Sequence, residues 1–124
     1  ETSVLVVESD PAVLATVSDA LSGEGYACRT CRSPDEALRA ARETAPDVVV
    51  CKEHLAGIRG PDLCEQLRRL LGLQRLAALY LSATQGPDVI RRRGAYFLRK
   101  PLDGDVLVAL VERSLGATAC PACI

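Results

Sequence analysis

Asp47-Val48-Val49-Val50-Cys51-Lys52 is the stretch that decides the fold of this chain. Its four consecutive apolar residues are bounded by Pro46-Asp47 on one side and by Lys52 on the other. A short, continuous apolar run is typical of a strand that is buried on both faces, as in a parallel sheet covered by helices. The stretch therefore predicts a central strand that ends in a cation.

Similar runs alternate with helix start signals along the chain. Asp10-Pro11 and Ser33-Pro34-Asp35-Glu36 place a capping side chain directly before a proline, the usual beginning of a helix. Five repeats of strand and helix predict a flavodoxin-like α/β fold, with a doubly wound, five-stranded parallel sheet in a three-layer (βα)5 sandwich. We predict strands at 4–7, 26–30, 47–51, 77–81 and 96–99, a short fourth helix between Gly86 and Gly94, and a last helix from Asp103 to Gly116.

Size and composition fit one domain. The chain has 124 residues, 48% hydrophobic and 25% charged, with a net charge of -1. This balance argues against a nucleic-acid surface, which carries a basic excess, and no apolar stretch is long enough to span a membrane. We expect a cytoplasmic domain over residues 1–116, with 117–124 as a tail or linker start. Because the sequence contains no Met, we expect either a trimmed stand-alone regulator or one domain of a longer protein.

Polar residues follow four of the predicted strands. In doubly wound sheets the ligand site lies beyond the carboxyl ends of the strands, near the point where the strand order reverses. The residues at this edge are Glu8-Ser9-Asp10, Lys52-Glu53, Ser82-Ala83 and Lys100-Pro101.

The order of these segments resembles the receiver domain of two-component response regulators, from about Val4 to Gly116. In that family, carboxylates after the first strand hold Mg²⁺, and an aspartate at the end of the third strand accepts a phosphoryl group from a histidine kinase. A Ser or Thr after the fourth strand and a Lys after the fifth bind the phosphoryl oxygens. The matching segments are Val4-Leu5-Val6-Val7-Glu8-Ser9-Asp10, Ala45-Pro46-Asp47-Val48-Val49-Val50, Leu79-Tyr80-Leu81-Ser82-Ala83 and Phe97-Leu98-Arg99-Lys100-Pro101.

Two positions depart from the family pattern. Ser9 stands where a second metal-binding carboxylate is usual, and Lys52 takes the place of the phospho-accepting aspartate. Lysine cannot form an acyl phosphate, and its charge disfavours a nearby Mg²⁺. We therefore expect a phosphorylation-independent pseudo-receiver without catalytic residues, cofactor or metal, in which Mg²⁺ binding is weak or lost. We also expect the Lys52 ammonium group to lie between Glu8 and Asp10 as their counter-charge.

Other positions match the family. Ser82 and Lys100 fit the phosphoryl-binding positions, Phe97 fits the switch aromatic, and Lys100-Pro101 fits a Lys-Pro pair whose peptide bond is often cis. The resemblance thus implies a degenerate phosphorylation pocket rather than an unrelated site.

The segment from Ser82 to Lys100 is about four residues, or roughly one helical turn, shorter than is usual in the family. There the fourth helix, fifth strand and fifth helix form the partner-binding face. Arg91, Arg92 and Arg93 lie in this shortened segment and are candidate partner-face residues. We expect a protein partner, namely a signalling protein, an effector domain of the same chain or a second copy, and neither nucleic acid nor a membrane.

Two other functions remain open. Glu53 could act as a substitute phosphate acceptor, although side-chain alternation predicts that it points away from Lys52. Cys28-Arg29-Thr30-Cys31 and Cys120-Pro121-Ala122-Cys123 could serve a thiol-redox protein or a zinc site. The first pair lies on a predicted strand, so its two thiols should face opposite sides of the sheet.

Overall fold

The computed structural model describes residues 2–83, 89–92 and 95–119. Six strands form the main sheet in the order β2-β1-β3-β6-β8-β7, and β4 and β5 form a separate hairpin. None of the described helices is both long and apolar enough to cross a membrane. The elements in chain order are β1 (Ser3–Val7), α1 (Pro11–Ser22), β2 (Ala27–Cys31), α2 (Pro34–Glu43), β3 (Val48–Lys52), β4 (His54–Leu55), β5 (Ile58–Arg59), α3 (Gly60–Leu71), β6 (Ala77–Ser82), β7 (Val89–Arg92), β8 (Ala95–Arg99) and α4 (Gly104–Ala119).

The predicted parallel sheet is present. β1 pairs in parallel with β2 and β3, β3 with β6, and β6 with β8. Because the chain moves outward to β2 and then crosses back to β3, the strand order reverses next to β1. The carboxyl ends of β1, β3, β6 and β8 therefore bring Glu8, Lys52, Ser82 and Lys100 to one edge of the sheet.

Helices cover the sheet in two layers, which confirms the predicted three-layer architecture. On one face, α1 and α4 pack on a core that contains Val6, Val50 and Leu79. On the other face, α2 and α3 pack on a core that contains Val49 and Tyr80. Consecutive residues of β3 thus enter opposite cores, as expected for a strand buried on both faces.

The two helix starts predicted from a capping side chain before a proline, at Asp10-Pro11 and Ser33-Pro34, are also confirmed. Asp10 Oδ1 accepts the Ala12 N–H at 2.9 Å at the beginning of α1. Ser33 Oγ accepts the Glu36 N–H at 3.2 Å, and the Glu36 carboxylate accepts the Arg32 N–H at 2.8 Å. Asp10 and Ser33 thus satisfy backbone donors that the first turn of a helix leaves without partners, and Glu36 reaches back to the N–H of the residue before the N-cap.

The predicted fourth helix is wrong in its described part, because Val89–Arg92 is the strand β7, which pairs antiparallel with β8. Two β-branched residues begin this segment, and such residues favour extended backbone. The main sheet consequently has a sixth, antiparallel edge strand in addition to the five predicted parallel strands. Gly86, Pro87, Arg93 and Gly94 lie outside the described residues.

The predicted end of the last helix is also wrong, because α4 continues through Gly116 to Ala119. A glycine within a helix costs about 1 kcal/mol relative to alanine, which a packed helix can tolerate. The domain boundary at residue 116 stays a prediction.

A close backbone contact follows β3. Gly60, the first residue of α3, donates its N–H to the Glu53 carbonyl at 2.7 Å. A Cβ at this position would lie 2.5 Å from the Lys52 carbonyl oxygen. Only glycine allows α3 to begin this close to the end of β3.

Candidate functional site

An ion pair between Glu8 and Lys100 lies at the centre of the site. Glu8 directly follows β1 and its side chain is fully buried, whereas that of Lys100 is 22% exposed. Lys100 Nζ donates to Glu8 Oε1 at 2.6 Å, and the Asp10 N–H donates to Glu8 Oε2 at 2.9 Å. Both carboxylate oxygens therefore have a donor, which offsets the cost of burying the charge.

Lys52 does not occupy the position expected from the sequence. Its Nζ donates to Ser9 Oγ at 3.2 Å, and within the described residues it forms no ion pair with a carboxylate. The expectation that Lys52 neutralises Glu8 and Asp10 is therefore wrong. Lys100 supplies the counter-charge of Glu8, and two ammonium groups cannot both approach one buried carboxylate without mutual repulsion.

Asp10 and Ser82 hold the backbone around this pair. Asp10 Oδ1 caps α1, so this oxygen contributes to the fold rather than to a ligand site. Ser82 is buried at the end of β6, and its carbonyl accepts the Lys100 N–H at 2.9 Å. The Lys100-Pro101 peptide bond is cis, as predicted.

Glu53 points away from this site, as alternation along the strand predicts. Its nearly buried carboxylate lies 3.6 Å from Arg59 Nη2 and 3.9 Å from His54 Nε2. Both partners belong to the β4–β5 hairpin, which follows Lys52 in the chain. The Glu53 carboxylate is thus held by neighbours that are separate from the Glu8–Lys100 pair.

The donor set does not fit Mg²⁺. Mg²⁺ is a hard cation that prefers oxygen ligands such as carboxylates and carbonyl groups. Glu8 is already paired with Lys100, Ser9 offers only a hydroxyl, and Lys52 adds a second cation nearby. No group of three or more metal-ligating side chains occurs among the described residues.

The predicted switch aromatic, Phe97, is partly buried on β8. Its ring lies 5.0 Å from the Tyr80 ring, and the Arg92 guanidinium lies 5.6 Å above its centre. The Arg91 guanidinium stacks on Tyr96 at 5.4 Å. Arg91 and Arg92 therefore lie on the edge strand β7 and contact aromatic rings, while Arg93 lies outside the described residues.

The first C-x-x-C pair is arranged as predicted. Cys28 packs against the core beneath α1 and α4, whereas Cys31 belongs to the core beneath α2 and α3. Both thiols are free, and burial raises the pKa of each. A raised pKa reduces the thiolate fraction that redox chemistry requires. Cys120 and Cys123 lie outside the described residues.

The chain is similar to known receiver domains over most of its length. The model of the family described as "Response regulator receiver domain" matches residues 4–112. The DNA-binding transcriptional regulator NtrC of Salmonella typhimurium is 31% identical over 90% of this chain and 24% of its own length. The DNA-binding response regulator MtrA of Mycolicibacterium smegmatis is 32% identical over 90% of this chain and 50% of its own length. The chain thus spans about a quarter to a half of these relatives.

Solved structures agree with the fold. The receiver domain of the hybrid histidine kinase CckA has a TM-score of 0.75 and 28% identity, and the match covers 91% of this chain and 98% of that domain. The chemotaxis protein CheY4 of Vibrio cholerae has a TM-score of 0.80 at 22% identity, covering 92% and 98% of the two chains. Together with the observed sheet order, these similarities confirm the flavodoxin-like α/β fold.

Proposed function

Because the chain belongs to the response regulator receiver domain family, we propose that it is a pseudo-receiver: a signalling domain that binds a protein partner independently of phosphorylation. The observation that carries this proposal is the cation at the end of β3. Lys52 stands at the carboxyl end of the middle strand, next to β1 and Glu8. An ammonium group cannot accept a phosphoryl group as a carboxylate does.

The Glu8–Lys100 ion pair supports the same function. Magnesium-assisted phosphoryl transfer needs an acidic metal site and a free cation that binds the phosphoryl oxygens. Here the carboxylate of Glu8, the one that is fully buried among the described residues, and the lysine that would contact phosphate neutralise each other at 2.6 Å. The domain therefore has no catalytic activity of its own in this proposal, and it keeps one conformation.

The partner is a protein in this proposal. The relatives are named as DNA-binding regulators, and this chain matches only a quarter to a half of their length. The matched part is the signalling part, so its contacts are made with an effector domain of the same chain or with a separate signalling protein. The domain itself has a net charge of -1, which does not favour binding to phosphates of nucleic acid.

The test is a titration with beryllofluoride and Mg²⁺, which together mimic a phosphorylated aspartate, followed by amide NMR shifts. The native chain should show no saturable change at Glu8, Lys52 or Lys100. The double variant Ser9→Asp with Lys52→Asp restores two carboxylates and serves as the matched control, in which saturable shifts are expected.

A second experiment tests Glu53 as the alternative phosphate acceptor: the chain is incubated with acetyl phosphate and its intact mass is measured. A single added phosphate on the native chain that disappears in Glu53→Gln would show that the domain is an active receiver with a substitute acceptor. Saturable beryllofluoride binding to the native chain would equally contradict the proposal.

A further inference from the structure

Two cysteine thiols meet in the core beneath α2 and α3, close to the end of β3. Cys51 is the residue before Lys52 on β3, and Cys64 lies on α3. Both side chains are fully buried in the same core cluster, and both thiols are free. They hydrogen-bond to each other, so the two sulfur atoms are in direct contact. This pair is separate from the two C-x-x-C motifs of the sequence.

The start of α3 explains why the two sulfur atoms approach so closely. Gly60 begins this helix against β3, where a Cβ atom added to it would lie only 3.2 Å from Cys51 Sγ. Cys64 comes about one turn after Gly60, on the same face of the helix. The close contact of the helix with β3 therefore brings Cys64 to the Cys51 thiol.

Tyr80 completes this cluster. It is paired with Cys51 in the register of β3 and β6, and its side chain hydrogen-bonds to Cys64. The hydrogen bond with Cys51 lowers the pKa of Cys64, against the opposing effect of burial, and contacts with Tyr80 and Arg68 lower this pKa further. Cys64 thus loses its proton more readily than Cys51, whose pKa is raised. The thiolate is the form of cysteine that reacts with oxidants.

We propose that Cys51 and Cys64 form an oxidation site at which a peroxide converts the two thiols into a disulfide. The Cys64 thiolate attacks one oxygen of hydrogen peroxide, which breaks the O–O bond, releases hydroxide and leaves Cys64 as a sulfenic acid. The Cys51 sulfur then attacks the Cys64 sulfur, the S–O bond breaks, and the departing hydroxide takes the Cys51 proton and leaves as water. Two thiols and one hydrogen peroxide give one disulfide and two water molecules, because the thiol protons neutralise both hydroxides.

The peroxide reaches the pair through a groove of about 510 Å³ between α3 and β8 in this proposal. Tyr80 and Arg68 are among the residues that line the groove. Tyr80 is only 3% exposed, and it contacts both the groove and Cys64. Displacement of this one side chain therefore opens a path for a small, neutral oxidant.

The resulting bond joins α3 to β3 beside Lys52. It requires neither phosphorylation nor a partner, so the inference goes beyond the proposed function and does not depend on it. A disulfide restricts the unfolded chain and thereby stabilises the folded one. Oxidation should therefore hold the start of α3 against the end of β3.

The experiment incubates the reduced chain with hydrogen peroxide, blocks the remaining thiols with iodoacetamide in urea and maps the linked peptides by mass spectrometry. The folded chain should lose the thiols of Cys51 and Cys64 together, in one linked pair of peptides. Cys28 is the internal control: it is more exposed than either residue, but burial raises its pKa, so it should react more slowly. Loss of the Cys28 thiol before that of Cys64, or no link between Cys51 and Cys64, would overturn the inference.

Variants separate the roles of the two thiols. In Cys51→Ala, oxidation should stop at the sulfenic acid of Cys64, which dimedone traps as a stable adduct. In Cys64→Ala, Cys51 should keep its thiol, because the residue that reacts first is missing. Circular dichroism checks that both variants are folded. A dimedone adduct on Cys51 in the folded Cys64→Ala chain would contradict the proposed order of steps.

Tyr80→Phe keeps the ring and removes only the hydroxyl that contacts Cys64. The oxidation of Cys64 should become about threefold slower or more, because a smaller fraction of it is thiolate. A merely loosened core would admit peroxide faster, so a slower reaction identifies the hydroxyl. An unchanged or faster rate would remove Tyr80 from the site.

Thermal unfolding measures the effect of the bond. The oxidised chain should unfold about 10 °C above the reduced chain, and dithiothreitol should reverse this shift. Cys51→Ala treated with the same peroxide should show no such rise. A linked chain that unfolds at the same or a lower temperature than the reduced chain would contradict the stabilising bond between α3 and β3.

Discussion

Lys100 donates a 2.6 Å hydrogen bond to the fully buried carboxylate of Glu8. Of the two lysines at this edge of the sheet, however, it is Lys52 that ends the strand next to β1. β3 is the direct neighbour of β1, whereas β8 is separated from β1 by β3 and β6. The flexible stem of Lys100 spans this distance. The buried acid is therefore neutralised by the lysine after the last parallel strand, and Lys52 is left with Ser9.

Lys100→Met should destabilise the domain by about 3 kcal/mol, because it leaves a buried carboxylate without its counter-charge. Lys52→Met is the matched control and should change stability by less than about 1 kcal/mol, since its partner is an exposed hydroxyl. Urea denaturation followed by circular dichroism measures both values. Equal losses in the two variants would show that the two lysines share the counter-charge.

Glu8→Gln combined with Lys100→Met should restore part of the stability that Lys100→Met alone removes. Removing both charges eliminates the uncompensated burial that follows from removing one. A double-mutant cycle over these residues should give a coupling free energy of about 1 kcal/mol or more. Additive losses would contradict a direct ion pair.

Gly60→Ala should destabilise the domain by about 2 kcal/mol, because the new Cβ would lie 2.5 Å from a backbone oxygen of β3 and 3.2 Å from Cys51 Sγ. Gly116→Ala is the control: it lies in α4 with no atom within 4 Å of the added Cβ. This control should gain about 0.5–1 kcal/mol, as an alanine does within a helix. Thermal unfolding of both variants tests the contrast.

Cys28 and Cys31 should react with iodoacetamide more slowly than free cysteine at pH 8. Burial raises the pKa of both thiols, so less thiolate is present at that pH. The rates should rise as the pH is increased above 8, and unfolding in urea should remove the protection. Peptide mapping assigns each rate to its residue. Faster reaction than free cysteine would revive the thiol-redox alternative.

Ser33→Ala should cost about 1 kcal/mol, because the hydroxyl oxygen caps α2 through the Glu36 N–H. Ser18→Ala, within α1, is the control and should be neutral or slightly stabilising, since alanine is the better helix former. Urea denaturation distinguishes the two. A loss at Ser18 as large as that at Ser33 would contradict a capping role.

The hairpin of β7 and β8 could have been predicted from the sequence. Only two residues, Arg93-Gly94, separate Ile90-Arg91-Arg92 from Ala95-Tyr96-Phe97. A two-residue connection that contains glycine between β-forming segments is a common hairpin pattern. The predicted helix rested on Gly86-Pro87 as a helix start and Gly94 as its end, and local strand propensity predicted the observed structure of 89–92 better.

The sequence by itself determined the parallel sheet, its helix starts and the set of polar residues at one edge, because apolar runs and capping side chains act over a few residues. It also determined that a lysine ends β3. Only the tertiary structure decided which lysine neutralises Glu8, and that α3 leaves Phe97 partly exposed. These outcomes depend on how far side chains reach across strands that are distant in sequence, and no local pattern encodes that distance.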